Sequence, residues 1–217
     1  MDEKRKLLII GILAAMAVAL VGIVVFYWYN NTYFIATEDA TVAGDLAKVS
    51  PQISGKLMEF NVEEGDRVSK DQILGRQEMI NLTDPNIDQS VIRAPIDGII
   101  LKKQGTVGEF ESVGQTLAVM VDPQKLYVNA NIEETQIGRV QPGQFVEITI
   151  DQYEGEKFTG KVRSIGQASN STFSLLPSST SGTFTKVVQK IPVKIQLDQS
   201  GAKLLPGTNA VIKIHIK

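Results

Sequence analysis

The sequence predicts a mainly β protein with a single N-terminal transmembrane helix, a small β-sandwich of two similar halves, and a small β-barrel. Three observations support this fold class. Residues 7–28 carry no charge, the pattern of residues 53–74 returns at 96–117, and much of the remaining chain alternates apolar with polar residues. Such alternation is typical of strands that bury one face.

The N-terminal apolar run is long enough for a membrane anchor, because about 20 such residues cross the hydrocarbon core as a helix. Lys4, Arg5 and Lys6 precede the run, and the aromatic residues 26–29 end it. A cationic flank stays in the cytoplasm, and aromatic residues favour the membrane interface. We therefore expect a cytoplasmic tail at 1–6, a transmembrane helix at 7–29, and the bulk of the chain outside the cytoplasm.

A cleaved signal peptide is the alternative to an anchor. Two Ala-x-Ala patterns at residues 15–19 fit a cleavage site. However, the apolar core of a signal peptide spans only about 7–15 residues, and here the run continues past both sites. The uncleaved helix is the interpretation we favour.

Small residues recur every four positions along this helix, at Gly11, Ala15 and Ala19. Such a stripe lets a second membrane helix approach closely. It predicts packing against a transporter, although Gly and Ala are also common in membrane helices without any partner.

The repeat defines the sandwich. At an offset of 43 residues, Gly65 aligns with Gly108, Ser69 with Ser112, Gln72 with Gln115 and Leu74 with Leu117. Two copies are too few for a solenoid, so we expect one two-fold sandwich at 45–122 with a short junction at 75–90. Turn roles are expected for four of its glycines: Gly55, Gly65, Gly98 and Gly108. The first half resembles the half-motif of lipoyl/biotinyl-like domains.

Lipoyl-like domains that carry a cofactor present a modified lysine at the junction between their halves. No lysine lies between Lys70 and Lys102. A covalently bound biotin or lipoate therefore has no attachment point there. This argues against a membrane-tethered biotinyl subunit and predicts no cofactor.

The barrel is expected at 123–217, preceded by a linker and opening strand at 30–44. Strand patterns occupy 125–130, 145–150, 160–165, 191–197 and 211–216, with Pro-Gly turns at Gly143 and Gly207. Ile132, Ile137 and Val140 fall at rough helical spacing and predict one short helix. A closed barrel removes the exposed edges of its sheet.

Composition excludes several functions. The formal net charge is −2, so no basic surface indicates nucleic-acid binding. With no cysteine and one histidine, disulfides and thiolate or multi-histidine metal sites are ruled out. His215 lies in an alternating strand, where we expect it on the polar face. The paired acids sit in solvated patterns, so no enzyme is predicted.

A polar segment at 167–185 encloses an apolar cluster, and long loops in compact domains are often functional. Its candidate partner or substrate contacts are Phe173, Leu175, Leu176 and Phe184. The alternative is that Phe173 and Leu176 plug the barrel end.

Several motifs resemble the HlyD-type membrane fusion proteins, or periplasmic adaptors, and within them the EmrA-type multidrug-export adaptors. The similar runs are residues 37–44, 92–98, 131–144, 173–177, 182–193 and 205–210. The resemblance implies a non-catalytic, membrane-embedded, homo-oligomeric adaptor of a bacterial plasma- or inner-membrane transporter. A major facilitator pump is favoured, with drug export and antibiotic resistance as the expected role. An ABC-type exporter of peptides or lipids is the alternative, and a surface β-domain without a transport role is a further one.

Family members usually carry a long α-helical hairpin between the lipoyl halves, but the junction here is short. Docking on an outer-membrane channel is therefore doubtful. A cell without an outer membrane and shortening by engineering are both compatible with this departure.

Overall fold

The computed structural model describes residues 3–78, 88–173, 188–198 and 202–216. Two α-helices and fourteen strands are found within them. In chain order the elements are α1 Glu3–Tyr33, β1 Phe34–Ala43, β2 Leu46–Val49, β3 Gly55–Phe60, β4 Arg67–Val68, β5 Ile73–Gln77, β6 Val91–Arg93, β7 Gly98–Lys103, β8 Phe110–Glu111, β9 Ala118–Val121, β10 Tyr127–Glu133, α2 Glu134–Ile137, β11 Phe145–Ile150, β12 Lys157–Ile165, β13 Lys190–Leu197 and β14 Asn209–His215.

The chain forms two compact units. One contains Met1–Thr41, Val128–Asp198 and Asn209–Lys217, and holds α1 and the barrel. The other contains Val42–Tyr127 and Gln199–Thr208, and holds the sandwich. Within the barrel region expected at 123–217, residues 202–208 group with the sandwich.

The barrel closes in the order β1-β10-β13-β12-β11-β14. Alternation along β11 and β14 places Ile148, Ile212 and Ile214 in its interior, where each is fully buried. Burying an aliphatic side chain of this size stabilises a fold by roughly 1.5–3 kcal/mol. Ile132 lies on β10 and not in a helix, so the helix expected over 132–140 shortens to Glu134–Ile137.

The sandwich has two four-stranded sheets, ordered β2-β9-β7-β4 and β6-β5-β3-β8. Its core contains the two repeat-related leucines Leu74 and Leu117, which are 1% and 0% exposed. The predicted mainly β architecture, with an apolar helix, a sandwich and a barrel, is confirmed.

The repeat is visible as a reciprocal exchange of hydrogen bonds. Gly65 N donates to Ile100 O at 2.8 Å, and Gly108 N donates to Leu57 O at 2.7 Å. Both donors adopt a positive φ, 95° and 96°. Positive φ is a backbone conformation that glycine tolerates best. Each half therefore uses its own glycine turn to hold a strand of the other half.

Gly55 and Gly98 have a different role from the turns expected of them. They begin β3 and β7, and neither is among the glycines with positive φ. A Cβ on Gly98 would lie 2.3 Å from Val121 O, and one on Gly55 would lie 2.6 Å from Glu78 O. Close backbone approach, and not a turn, requires glycine at these two positions.

Candidate functional site

The first candidate surface is helix α1, which runs from Glu3 to Tyr33. The stretch Gly11–Tyr33 is long and apolar enough to cross a membrane, by length and composition. Gly11, Ala15 and Ala19 are all exposed. A Cβ on Gly11 would have no heavy atom within 4 Å. The small-residue stripe therefore lies open along the helix.

No linker separates α1 from β1 in the region 30–44, where a linker and opening strand were expected, because α1 ends at Tyr33 and β1 begins at Phe34. Arg139 Nη2 donates to Asn31 O at 2.7 Å and to Thr32 O at 2.9 Å. The last carbonyls of a helix lack partners and carry partial negative charge. A guanidinium from the loop after α2 thus caps α1 and ties it to the barrel unit.

Aromatic rings add contacts where α1 meets the barrel, a region at residues 30–36 that we call the helix-to-barrel joint. Phe34 packs edge-on against His215 at 4.7 Å between ring centroids, and Phe145 packs against the same imidazole at 5.2 Å. Lys213 Nζ lies 3.9 Å from the Phe34 centroid. His215 lies on the outward face of β14, as expected, and it packs there between two rings with Nε2 3.0 Å from Glu147 Oε1.

The second candidate surface is the connection between β12 and β13, at residues 166–189. Phe173 ends a 3₁₀ helix, Asn170–Phe173. Leu175, Leu176 and Phe184 lie outside the described residues, so the structure leaves their predicted contact role open.

Polar side chains converge where this connection leaves and rejoins the barrel. Asn170 Nδ2 donates to Asn131 Oδ1 at 2.8 Å, and Asn131 Nδ2 donates to Asp39 Oδ1 at 2.9 Å. Lys190 Nζ donates to Asp39 Oδ2 at 2.6 Å. We call Asp39, Asn131, Asn170 and Lys190 the loop-root cluster.

The Asp39 carboxylate is the acceptor at the centre of the loop-root cluster. The hydrogen bond from Lys190 and then that from Asn131 hold its pKa below the ordinary value, and these outweigh the opposing effect of burial. Sequence reasoning missed this residue, because Asp39 and Lys190 are 151 positions apart and no local pattern relates them.

A cleft of about 910 Å³ lies within the sandwich unit. Its lining includes the apolar Val121, Leu126 and Leu204 and the charged Arg67 and Asp122. Burial disfavours ionisation of Asp122, but hydrogen bonds from Lys125 Nζ and Gln124 N outweigh burial and lower its pKa. The cleft therefore mixes apolar surface with charges of both signs.

No group of three or more His, Cys, Asp or Glu side chains with metal-binding geometry occurs in the part of the chain that the structure describes.

Comparison with known proteins follows the division seen in the fold. Residues 45–123 match the barrel-sandwich hybrid domain of RND membrane fusion proteins. Residues 126–214 match a YknX-like β-barrel domain. The putative efflux system component YhbJ of Bacillus subtilis is 36% identical over 186 residues, which cover 85% of this chain and 81% of YhbJ. The chain belongs to the RND/HlyD-type membrane fusion proteins.

Other membrane fusion proteins match over a smaller part of their length. The multidrug export protein EmrA of Haemophilus influenzae is 36% identical over 136 residues, which cover 60% of this chain but 35% of EmrA. The matched region is therefore about a third of that relative.

Solved structures share the fold. The periplasmic adaptor protein EmrA superposes with a TM-score of 0.58 at 15% identity, covering 84% of this chain and 98% of that one. The membrane fusion protein Spr0693 of Streptococcus pneumoniae superposes with a TM-score of 0.61 at 14% identity, and the match covers 85% of this chain and 99% of Spr0693. The family models and the relationship to YhbJ, and not these structures, show that this membrane fusion protein is a non-catalytic adaptor subunit of an efflux system.

As expected, the described residues of this membrane fusion protein contain no long helical hairpin, and the chain between the sandwich halves is too short for one. β5 ends at Gln77 and β6 begins at Val91. Even a wholly helical 78–90 segment would measure only about 20 Å, and folded back as a hairpin it would reach about half of that.

Proposed function

We propose that this membrane fusion protein is the adaptor of a major facilitator pump that exports drugs or other small molecules. The observation that carries the proposal is the direct passage of an apolar, membrane-length helix into a capped and aromatic-packed barrel end. Relatives named as an efflux system component and as multidrug export proteins support the substrate class. The resemblance to EmrA-type adaptors supports the pump type.

The proposed topology places the N-terminus in the cytoplasm of a bacterial cell, helix α1 in the membrane, and the barrel and the sandwich outside the cytoplasm. Lys4, Arg5 and Lys6 supply the cytoplasmic flank. The barrel would then stand directly at the outer face of the bilayer, since α1 continues into β1 without a linker. A cysteine at exposed Thr172 that reacts with an impermeant thiol reagent in intact cells would support this orientation.

The proposed action is a bias on the pump, and no chemistry is involved. An adaptor shifts the conformational equilibrium of its partner only if it binds one pump state more tightly than another. Helix packing inside the membrane and loop contacts outside it are two surfaces through which such a difference can arise. We further propose that several copies assemble around the pump exit.

In the membrane we propose that the stripe Gly11, Ala15 and Ala19 packs against a pump helix. Close packing needs small side chains at the contact. Ala15→Leu should weaken recovery of the pump with this protein. Ala17→Leu is the matched control, because it lies about 200° away around the helix. Equal recovery with both variants would contradict the stripe.

Outside the membrane we propose that Phe173, Leu175, Leu176 and Phe184 contact the pump or its substrate. An apolar cluster flanked by polar segments is a common contact surface. The double variant Phe173→Ala/Leu176→Ala should fold and reach the membrane but restore drug resistance poorly. Full resistance with this variant would refute the loop contact.

The short 78–90 junction supports export without an outer-membrane channel. The proposal as a whole is tested in cells that lack this chain and its partner. Drug accumulation should fall when the chain and the pump are expressed together, and should not fall with either alone. Unchanged accumulation with both proteins present would overturn the proposal.

A further inference from the structure

The connection at 166–189 leaves one strand of the barrel and returns to its neighbour. At its base Ile165 pairs with Val193, and Gly166 N donates to Pro192 O at 2.7 Å. These bonds join β12 to β13, but they do not fix the connection against the rest of the barrel. The loop-root cluster provides bonds that link the connection to other strands of the barrel.

The cluster links the two ends of the connection across three neighbouring strands. Asn170 lies just after the connection begins, and Lys190 lies just after it ends. Lys190 donates directly to Asp39 on β1. Asn170 donates to Asn131 on the intervening β10, and Asn131 in turn donates to Asp39. One oxygen of the Asp39 carboxylate is therefore linked to Asn170 through Asn131, and the other accepts directly from Lys190.

A bulge in β1 accompanies the placement of this carboxylate. Thr37 pairs with Ile212 and Ala40 pairs with Ala210, so β1 holds one residue more than β14 between these pairs. Such bulges re-aim side chains and are common beside functional sites. Thr37 Oγ1 further accepts from Asp39 N at 3.1 Å and donates to Asn131 O at 3.2 Å, which fixes the backbone around the cluster.

A second tie holds the returning end. Glu134 N, at the start of α2, donates to Gln189 O at 2.9 Å. Residues 189 and 190 are thus fixed from two sides, by a backbone bond and by an ion pair. Both bonds to the Asp39 carboxylate have a charged acceptor, and the bond from Lys190 also has a charged donor. Charge-assisted bonds are stronger than neutral ones, and the Lys190 bond lowers the pKa of Asp39 the most.

We propose that Asp39 is the positioning residue for the two described ends of this connection, and that its bonds to Asn131 and Lys190 hold those ends at a fixed separation. The positioning itself stands on the contacts above. Its consequence for export rests on the proposed function of the loop. Asp39 touches neither substrate nor pump in this account, and acts through the loop roots.

The experiment measures the distance between the loop roots in the full chain. The protein has no cysteine, so Thr172→Cys and Val188→Cys introduce the only two thiols for spin labels. Both positions are exposed. Pulsed electron paramagnetic resonance in nanodiscs, with labelled chains diluted in unlabelled ones, gives the intramolecular distance distribution.

The parent should show one narrow distance. Asp39→Asn and Lys190→Gln should each lose that narrow component, and Asp39→Glu should keep part of it because the charge remains. Glu38→Gln is the matched control, since Glu38 is the adjacent exposed carboxylate, and it should match the parent. An unchanged distribution in both Asp39→Asn and Lys190→Gln would overturn the inference, whatever happens to export.

Two further outcomes separate this inference from the proposed function. A lost narrow distance with normal export supports positioning by Asp39 but refutes the loop as a partner contact. If Asp39→Asn does not fold, the distance measured in Lys190→Gln still tests the inference. The Lys190 side chain is 49% exposed and that of Asp39 is 41% exposed, so this substitution leaves no buried group unpaired. An unfolding temperature that stays constant while the distance changes supports positioning over general stability.

Discussion

Lys190 Nζ lies 2.6 Å from Asp39 Oδ2, and the pair joins β13 to β1 across β10. Neither strand is adjacent to the other in the barrel. The pair therefore adds a tie that main-chain pairing does not supply, at the point where the 166–189 connection returns.

This tie predicts a pH dependence of stability. The folded-state pKa of Asp39 is lowered, first by Lys190 and then by Asn131. A depressed carboxyl pKa stabilises the fold above the unfolded value of about 3.9, and that contribution is lost as pH falls through the folded value. The Asp39 side chain is 41% exposed, so solvent screening limits the pair to about 1 kcal/mol or less.

Thermal unfolding of the full chain in detergent checks this between pH 3 and 7. The difference in unfolding temperature between the parent and Asp39→Asn should be largest near neutrality. It should shrink below about pH 4, where the carboxyl group of the unfolded chain titrates. Glu38→Gln should show no comparable pH-dependent difference. A difference between parent and Asp39→Asn that grows towards acid pH would contradict the role of the ion pair.

The helix-to-barrel joint gives a second prediction. Arg139→Met removes the donor to Asn31 O and Thr32 O. A cation at a helix C-terminus contributes roughly 0.3–2 kcal/mol, so amide hydrogen exchange over 30–36 should accelerate about 2- to 30-fold, following the factor of 10 per 1.36 kcal/mol. Arg163→Met is the control, because Arg163 is an exposed residue of β12, and it should leave the hydrogen exchange of residues 30–36 unchanged. Equal protection in both variants would mean that Arg139 does not hold the joint.

The close approach at Gly98 gives a third prediction. Gly98→Ala would place a Cβ 2.3 Å from the backbone oxygen of Val121, and backbone cannot move aside cheaply. Overpacking of this kind costs about 1–3 kcal/mol, measured as a drop in the free energy of unfolding. Gly138→Ala is the control, because it has φ −60° and no heavy atom within 4 Å of its Cβ. A loss at Gly138 as large as that at Gly98 would contradict the steric explanation.

The two-fold relation between the sandwich halves gives a fourth prediction. Gly65 and Gly108 share their φ values and their reciprocal hydrogen bonds, and a Cβ at either meets open space. Alanine should therefore destabilise both positions through backbone strain alone, by about 1–2 kcal/mol. Denaturant titration should show a similar loss of unfolding free energy in the two variants. A large loss at only one position would show that the halves are not equivalent.

The sandwich and most barrel strands could be predicted from the sequence because their signals are local. The glycine spacing of the repeat and the period-two alternation are both readable within a few residues. The observed β11, Phe145–Ile150, coincides with the predicted strand. Elements whose ends depend on distant residues were placed less well.

Helix α1 shows why. Its apolar run ends near Tyr29, yet the helix continues to Tyr33, where Arg139 from another element satisfies its carbonyls. His215 and Asp39 are similar cases. Their neighbours are set by barrel register and by the bulge in β1, which no local pattern encodes. The sequence indicated the segment 167–185 as a candidate surface but not Asp39, Asn131 and Lys190, whose bonds hold the ends of the connection that contains it.

The most direct test of the central claim is to identify what this protein binds in its native membrane. Crosslinking in intact cells, affinity purification of the full chain and mass spectrometry should recover a major facilitator pump together with further copies of the chain. Recovery of an ABC transporter would contradict the pump type while leaving the adaptor role intact. Recovery of no transporter at all would contradict the account itself.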